Sequence, residues 1–560
     1  MPEPFYLTTP IYYVNDRPHI GHCYTTVVAD VVARFERLRR GSAADVFLLT
    51  GTDEHADKVV TSAAAHGKSP QQWADQNAEE FRKAFAFMGV SNDDFIRTTE
   101  PRHRDRVPHY IRALMNAKGP DGKGLIYRGE FTGWYDESAE AYVTDTAARE
   151  QDYKSTIGGR PLVKRTEPCY FFKLSAYQQP LLDLISQNPA FVQPDARRQE
   201  VLGRLRPPAV LNDVPVSRPV TDDPATQWGI RIPGDDAHRV YVWIDALFNY
   251  LTVVDTPERR RFWPARHVLG KDILWFHAVI WPALLMALKV ASPEFAWVAL
   301  PRQVFGHGWW ISEGQKMSKS LGNFIDLERL KAYADRYSLD AVRWYLATQG
   351  PLSGTDSDFS HAKFVETYNA DLANGIGNCA SRVGNMVEKY FGGALPAGGR
   401  LEAGQPGAEY DWPSLTRAAG ARAVEAMGTM DLAGALGAGA DLVRQVDQYI
   451  NVTAPFKIAK TVESDPNAKT RLGTILHHCA EAVRVAAVLM SPAMPGKMGA
   501  LLASWGASPP AGARLEAVCE FDGPHGLRAG QRVAKGEILF QRANPADPPP
   551  GAGPGTTPAA

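Results

Sequence analysis

Phe5-Tyr6-Leu7-Thr8-Thr9-Pro10-Ile11-Tyr12-Tyr13-Val14-Asn15-Asp16-Arg17-Pro18-His19-Ile20-Gly21-His22 leads from a β-rich run into a helix that continues through Val27, Val28, Val31, Val32 and Phe35. A strand over Phe5 to Thr9, a polar turn and a helix make one βα unit. The same grammar recurs at Phe47 to Thr50 before Gly51 and at Val268 to Leu269 before Gly270, which predicts an α/β fold on a parallel sheet. His19 and His22, three residues apart, fall on one side of the first helical turn, where unsatisfied amides and the helix dipole favour an anion. Gly21 leaves room for close approach, since a Cβ there intrudes on the ligand. A His-x-x-His pair also serves as a structural cap, so the motif alone decides little.

Outward from this unit the pattern changes twice. Residues 119–233 break into short strands with aromatic residues and Gly/Pro turns, such as Trp134-Tyr135 and Tyr170-Phe171-Phe172, and read as an insertion between two halves of one α/β domain. From Phe364 to about Ser504 the chain becomes helical, for example over Leu432 to Ile450 and Thr470 to Met490, and predicts a bundle. Asn544 to Ala560 is dominated by Pro, Gly, Ala and Thr, too poor in apolar side chains to order itself, and is expected to be a disordered tail.

A chain of 560 residues needs two or three domains. With 44% hydrophobic and 22% charged residues and no run of about 18 apolar ones, it reads as a soluble protein rather than a membrane span. The first residues lack the pattern of a signal or transit peptide, so a cytoplasmic location is expected. Cys23, Cys169, Cys379, Cys479 and Cys519 are scattered without a C-x-x-C, which implies neither disulfides nor a zinc knuckle. A net charge of -1 argues against nonspecific wrapping of nucleic acid, though not against local basic patches.

A second motif, Lys316-Met317-Ser318-Lys319-Ser320, follows the turn Glu313-Gly314-Gln315 and precedes Leu321-Gly322-Asn323. Two lysines on a loop with small neighbours form a mobile clamp for charge developing on a pyrophosphate leaving group. Alone, such a pair is more often merely solvated. No Gly-x-x-x-x-Gly-Lys-Ser/Thr loop is present, so a Walker-type phosphate site has no support.

Together the HIGH and KMSKS signatures, complete and in this order, resemble the class I aminoacyl-tRNA synthetases. Thr8-Thr9-Pro10-Ile11-Tyr12-Tyr13-Val14-Asn15, Leu49-Thr50-Gly51-Thr52-Asp53-Glu54-His55, Val242-Trp243-Ile244-Asp245-Ala246 and Gly270-Lys271-Asp272-Ile273 resemble the blocks of the methionyl family, over about residues 4 to 540. The resemblance implies a Rossmann-like class I catalytic domain split by an inserted connective domain, then a C-terminal all-α anticodon-binding bundle. The expected divisions are 1–118 and 234–300 for the catalytic halves, 119–233 for the acceptor-end insertion and 301–360 for a linking domain. A helical domain over 361–510, an extension packing back over 511–543 and the tail over 544–560 complete them.

The resemblance also implies site residues. His19 and His22 act on the phosphates and Lys316 and Lys319 on the pyrophosphate, with Gly21, Lys271 and Asp272 also at ATP. An Asp53 carboxylate at a strand end can hold an α-ammonium; a helix-capping aspartate is the alternative. Ile11, Tyr13, Trp243, Ala246, Leu247, Tyr250, Ile273, His277 and Trp281 form the methionine pocket, where sulfur against aromatic edges contributes about 0.3–1.5 kcal/mol per contact. Without the resemblance, Trp243, Tyr250 and Trp281 read as core aromatics. Asn378 and Arg382, one helical turn apart, and the aromatic Phe456 resemble the reader of a CAU anticodon. Many relatives carry Trp at Phe456, whose indole donor is lost here. A solvated helix face is the plain reading of Asn378 and Arg382.

Expected partners are ATP with Mg²⁺, L-methionine and tRNA(Met). No structural zinc is expected, because Gly133 to Tyr142, where many relatives carry cysteine knuckles, has no cysteine. His477-His478-Cys479 points in diverging directions on a helix and is not expected to bind metal. The chain stops too soon for a C-terminal dimerising module, which suggests a monomer. Three rivals stand beside this reading: a small-molecule adenylyltransferase of the same superfamily, a silent RNA-binding paralogue, and a synthetase for another amino acid.

Overall fold

The computed structural model describes residues 3–15, 17–119, 122–136, 141–143, 145–155, 159–312, 314–317 and 324–551. β1 (Phe5–Tyr13), β2 (Val46–Asp53) and β3 (Asp94–Arg97) form one half of a six-stranded sheet. Arg266–Gly270, Gln303–His307 and Val192–Gln193 form the other half, and every pairing is parallel. β1 lies between Val46–Asp53 and Arg266–Gly270, so the chain winds outward from it in both directions. Ligands of such sheets collect at the carboxyl ends of the strands beside that reversal. A register shift between Thr8 and Ile11 brackets Pro10, which has no amide to give to the ladder. Beyond it β1 follows β2 alone, from Ile11 opposite Gly51 to Tyr13 opposite Asp53.

α1 (Ile20–Arg40) packs on this sheet through Cys23, Tyr24, Val27, Val28, Val31, Val32 and Phe35, all buried. It ends at Gly41, whose φ of 65° suits the left-handed cap. Asp30, wholly buried within α1, meets Arg343 of helix Leu339–Gln349 at 2.6 Å. The same guanidinium donates to Met88 O, Pro492 O and Ala493 O, so one side chain ties α1 to the helical region.

The inserted region contains a four-stranded antiparallel sheet built on Ile126–Asp136 and Val163–Phe172. It is tied back to the main sheet, a link the reading of 119–233 does not foresee. Helices Gln178–Gln187 and Asp195–Leu205 flank Val192–Gln193, which returns to pair with Val304 and Phe305 on the main sheet.

Helices Asn378–Phe391, Trp412–Gly428, Leu432–Thr453 and Ala468–Met490 form the bundle. Ala468–Met490 is long and apolar enough to cross a membrane by length and composition, but it is buried inside the bundle as its core helix. A Cβ on Gly439 meets Ala486 O at 2.8 Å, so glycine permits this crossing. Residues 544–551 depart from the expected disordered tail. Arg336 pairs with the Asp547 carboxylate and donates to Pro548 O, and His361 meets Asp547 O, so an ion pair and main-chain carbonyls hold a segment too poor in apolar residues to hold itself. The rest of the tail, 552–560, lies outside the described residues.

Candidate functional site

His19 is the N-cap of α1, with extended backbone that turns its ring over the first turn. Gly21 donates its amide to His19 Nδ1 at 3.0 Å, and His19 donates its own to His22 Nδ1 at 3.3 Å. The rings lie 3.8 Å apart between centroids. The capping reading holds: the histidines cap the helix through Nδ1, which in the neutral imidazole leaves the proton on Nε2. Enclosure in the protein, and then the neighbouring His19, pull the His22 pKa well below the ordinary histidine value. A Cβ on Gly21 meets the His19 ring at 2.9 Å, so the neighbour that first excludes a side chain is His19 rather than a ligand.

Gln315–Lys316 pairs antiparallel with Trp310–Ser312, and Met317 packs on the core. Ser318 to Asn323, including Lys319, lie outside the described residues, as does the Lys316 side chain. From Phe324 the chain is tied to the HIGH turn. Phe324 stands edge-on to His19 at 5.3 Å, Ile20 donates its amide to Ile325 O at 3.1 Å, and Asp326 bridges His19. The segment Phe324 to Asp326, nearly 300 residues along the chain, is thus adjacent to the HIGH turn in space.

Lys271 and Asp272 follow the strand Arg266–Gly270. Lys271 Nζ meets Asp356 Oδ1 at 2.6 Å and lies 4.4 Å from the centre of the Trp309 ring, while Trp309 Nε1 donates to Asp272 at 3.2 Å. Trp309 and Asp356 were not singled out by the sequence, nor was His307, which meets Thr25 of α1 at 2.8 Å.

Asp53 ends β2, buried, with Oδ1 unpartnered among protein atoms. Burial first, and then the charges of Asp245 and Glu54, push its pKa well above the usual carboxylate range. Glu54 beside it is fully committed, to Arg97 at 2.7 and 2.9 Å and to the Thr52 and Thr99 hydroxyls. An alternative role for Asp53 as a helix cap has no counterpart: the next helix, Asp57–Ala65, has no side-chain cap bond.

Of the residues expected at the pocket, Tyr13 and Tyr250 face Asp53. Tyr13 meets Trp243 edge-on at 5.7 Å, and Trp243 stacks at 4.0 Å on Phe276, which sequence reasoning missed. Tyr250 Oη and His277 Nε2 are 2.8 Å apart, and His277 Nδ1 lies 3.0 Å from Ile273 O. Burial pushes the His277 pKa down to about 4. Ile11, Tyr13, Trp243 and Ile273 keep partial exposure, whereas Ala246, Tyr250 and His277 are buried. Leu247 and Trp281 are as buried as Tyr250, and Trp281 lies 6.2 Å from its ring. Tyr13 and Trp243 also border an open cavity of about 690 Å³ reaching Tyr135, Arg165 and Arg218 of the inserted region.

In the bundle, Asn378 is exposed and Arg382 half-buried, its guanidinium 3.4 Å from both Asp447 and Asn451. Phe456, at 44% exposure, projects from the short helix Pro455–Ile458 beyond Asn451. Among the described residues no group of three or more His, Cys, Asp or Glu side chains is placed to hold a metal ion. His477 spends its ring nitrogens on Pro396 O and Asp522, and His478 on Tyr449 and Gly399 O.

A parallel sheet split by an insertion, two histidines at the helix start and the segment after the KMSKS motif tied to that turn fit a class I tRNA synthetase. The family model described as tRNA synthetases class I (M) matches residues 5–151 and 147–384. The methionine–tRNA ligase of Streptomyces coelicolor is 41% identical over 552 residues, 96% of this chain and 96% of that protein. That of Caldanaerobacter subterraneus subsp. tengcongensis is 39% identical over 550 residues, 97% of this chain and 79% of that protein. A crystal structure of Mycobacterium tuberculosis methionyl-tRNA synthetase bound by methionyl-adenylate has a TM-score of 0.82 at 33% identity, covering 96% of this chain and 100% of that one. The chain belongs to the methionine–tRNA ligase family, ligases that form aminoacyl-tRNA.

Proposed function

We propose that this chain activates L-methionine with ATP at the carboxyl edge of the sheet and passes it to the 3'-terminal adenosine of tRNA(Met), with the site residues in the following roles. The observation that carries the reading is Asp53: a buried carboxylate with one unpartnered oxygen, flanked by the Tyr13, Trp243 and Tyr250 aromatics. An α-ammonium satisfies that oxygen, and the aromatic wall takes the thioether.

With the ammonium held, a methionine carboxylate oxygen attacks the α-phosphorus of ATP and the bond to pyrophosphate breaks. His19 and His22 face the phosphates, and a neutral His22 offers its Nε2–H as a donor. Lys316 and Lys319 neutralise the leaving pyrophosphate. Lys271 exchanges its Asp356 contact for the nucleotide. Mg²⁺ arrives with ATP and supplies further neutralisation of phosphate charge. The terminal ribose hydroxyl then attacks the carbonyl of the mixed anhydride and AMP leaves. Little covalent chemistry is asked of the protein beyond positioning.

Asn378, Arg382 and Phe456 read the anticodon, and the enzyme works as a cytoplasmic monomer without structural zinc. Charging tRNA(Met) transcripts with a CAU anticodon or an altered one tests the transfer reading. Efficient charging of CAU alone supports it, and equal charging of both overturns the anticodon assignment. One zinc per chain by elemental analysis contradicts the zinc-free reading.

A further inference from the structure

Behind Asp53 lies a buried carboxylate that the steps above do not use. Asp245 sits on the helix Val242–Thr252, which also carries Trp243, Ala246 and Tyr250. Its Oδ2 lies 2.6 Å from His55 Nδ1 and its Oδ1 2.8 Å from His103 Nε2. His103 Nδ1 lies 3.1 Å from the Thr252 hydroxyl at the far end of the same helix. Asp245, His55, His103 and Thr252 are all buried. His55 is two residues past Asp53, and its backbone bonds the Asp53 carboxylate. The His55 ring also meets Trp228 edge-on at 5.7 Å, while Trp228 Nε1 donates to Glu54 O at 2.6 Å.

We infer that Asp245 is a positioning residue for amino-acid activation, locking the turn that presents Asp53 to the helix that presents Trp243 and Tyr250. This rests on the reading of Asp53 as the ammonium ligand. The ammonium and the thioether of one small substrate are held by elements distant in the chain, β2 and Val242–Thr252. Their separation is set by what joins them. A shift of a fraction of an ångström there changes the fit of both ends at once. Through His55, Asp245 supplies a short charge-assisted bond directly between the two elements. Through His103 it ties the same helix to Pro101–Arg104, which carries none of the residues that face Asp53.

The arrangement also sets the charge of the site. Burial raises the Asp245 pKa, but the two histidines prevail and hold its carboxyl well below the usual carboxylate range. Its charge in turn helps keep Asp53 raised. The groups facing Asp53 are Asp245 from the helix, Glu54 with its Arg97 partner from the strand end, and the phenols of Tyr13 and Tyr250. Removing the Asp245 charge therefore lowers the Asp53 pKa, which a loss of packing alone does not do.

The test is ATP–pyrophosphate exchange by the full-length enzyme with Asp53→Asn, Asp245→Asn, His55→Gln and His103→Gln. Asp245→Asn is expected to raise KM for methionine about 10–100-fold, the size found when a partner that orients a metal-binding side chain is removed. KM for ATP stays near wild type. The acid limb of kcat/KM for methionine moves to lower pH. His55→Gln follows Asp245→Asn and exceeds His103→Gln; it carries the same test should Asp245→Asn fail to fold. If Asp53→Asn weakens methionine while Asp245→Asn and His55→Gln do not, the positioning role is overturned and the ammonium reading survives. If Asp53→Asn leaves KM for methionine unchanged, the ammonium reading falls and this inference with it.

Discussion

The amide of Ile20 donates to the carbonyl of Ile325 across 3.1 Å, joining the first turn of the HIGH helix to the chain that leaves the KMSKS loop. On the proposed reading the histidines and lysines act on one phosphate chain, and effects of residues that act as a unit are not additive. His22→Ala and Lys319→Ala should each slow adenylate formation about 10²–10³-fold, the cost of removing a single oxyanion donor. The double variant should lose less than the product of the two. Pre-steady-state adenylate formation measures this. A loss confined to methionine binding contradicts the assignment.

Arg343 and Asp30 form a second long-range tie, wholly buried. Breaking such a pair from one side strands a charge and costs about 3–5 kcal/mol. Arg343→Met should lower the unfolding midpoint markedly. Asp30 keeps Arg34 and Ser91 when Arg343 is gone, so Asp30→Asn combined with Arg343→Met should cost less than the sum of the two single losses rather than restore stability. Thermal unfolding of the single and double variants checks both statements, and full additivity contradicts the coupling.

Phe456→Ala and Arg382→Ala should separate the two half-reactions. Base stacking on an aromatic side chain contributes about 1–3 kcal/mol, so Phe456→Ala should reduce aminoacylation kcat/KM by that equivalent. Neither residue is near Asp53, and amino-acid activation without tRNA should be unaffected. Steady-state charging beside pyrophosphate exchange reads this; equal losses in both point to a folding defect instead of recognition.

Stability should fall on mild acidification. Burial lowers the pKa of His22, His267, His277 and His307, with His277 reaching about 4. Below the ordinary histidine value of about 6.5 the unfolded chain binds protons that the folded one refuses, so stability drops as pH falls from there. Each such histidine contributes up to about 1.4 kcal/mol per pH unit in that window. His477 has the opposite sign: burial opposes its charge, but Asp522 prevails and raises its pKa, so its contribution is lost as pH rises through that folded value. The unfolding midpoint at pH 7, 6 and 5 should decrease stepwise. A flat profile contradicts the burial account.

How much of this was legible in the chain depended on range. The βα units and the His19–His22 turn are local, decided by residues within one or two helical turns, and the apolar spacing from Val27 to Phe35 displays them directly. Val192–Gln193 is too short for any alternation to register, yet it joins the main sheet because Gln303–His307 offers a parallel edge. Asp245 reaches its two histidines across 190 and 142 residues, and Arg343 reaches Asp30 across 313. No periodicity encodes such pairings.

The most direct measurement is ATP–pyrophosphate exchange across the twenty amino acids, with and without tRNA. The geometry at Asp53, Trp243 and Tyr250 predicts exchange with methionine, far above any other natural amino acid and independent of tRNA. Exchange driven by a different amino acid, or none with methionine until tRNA is added, would contradict it.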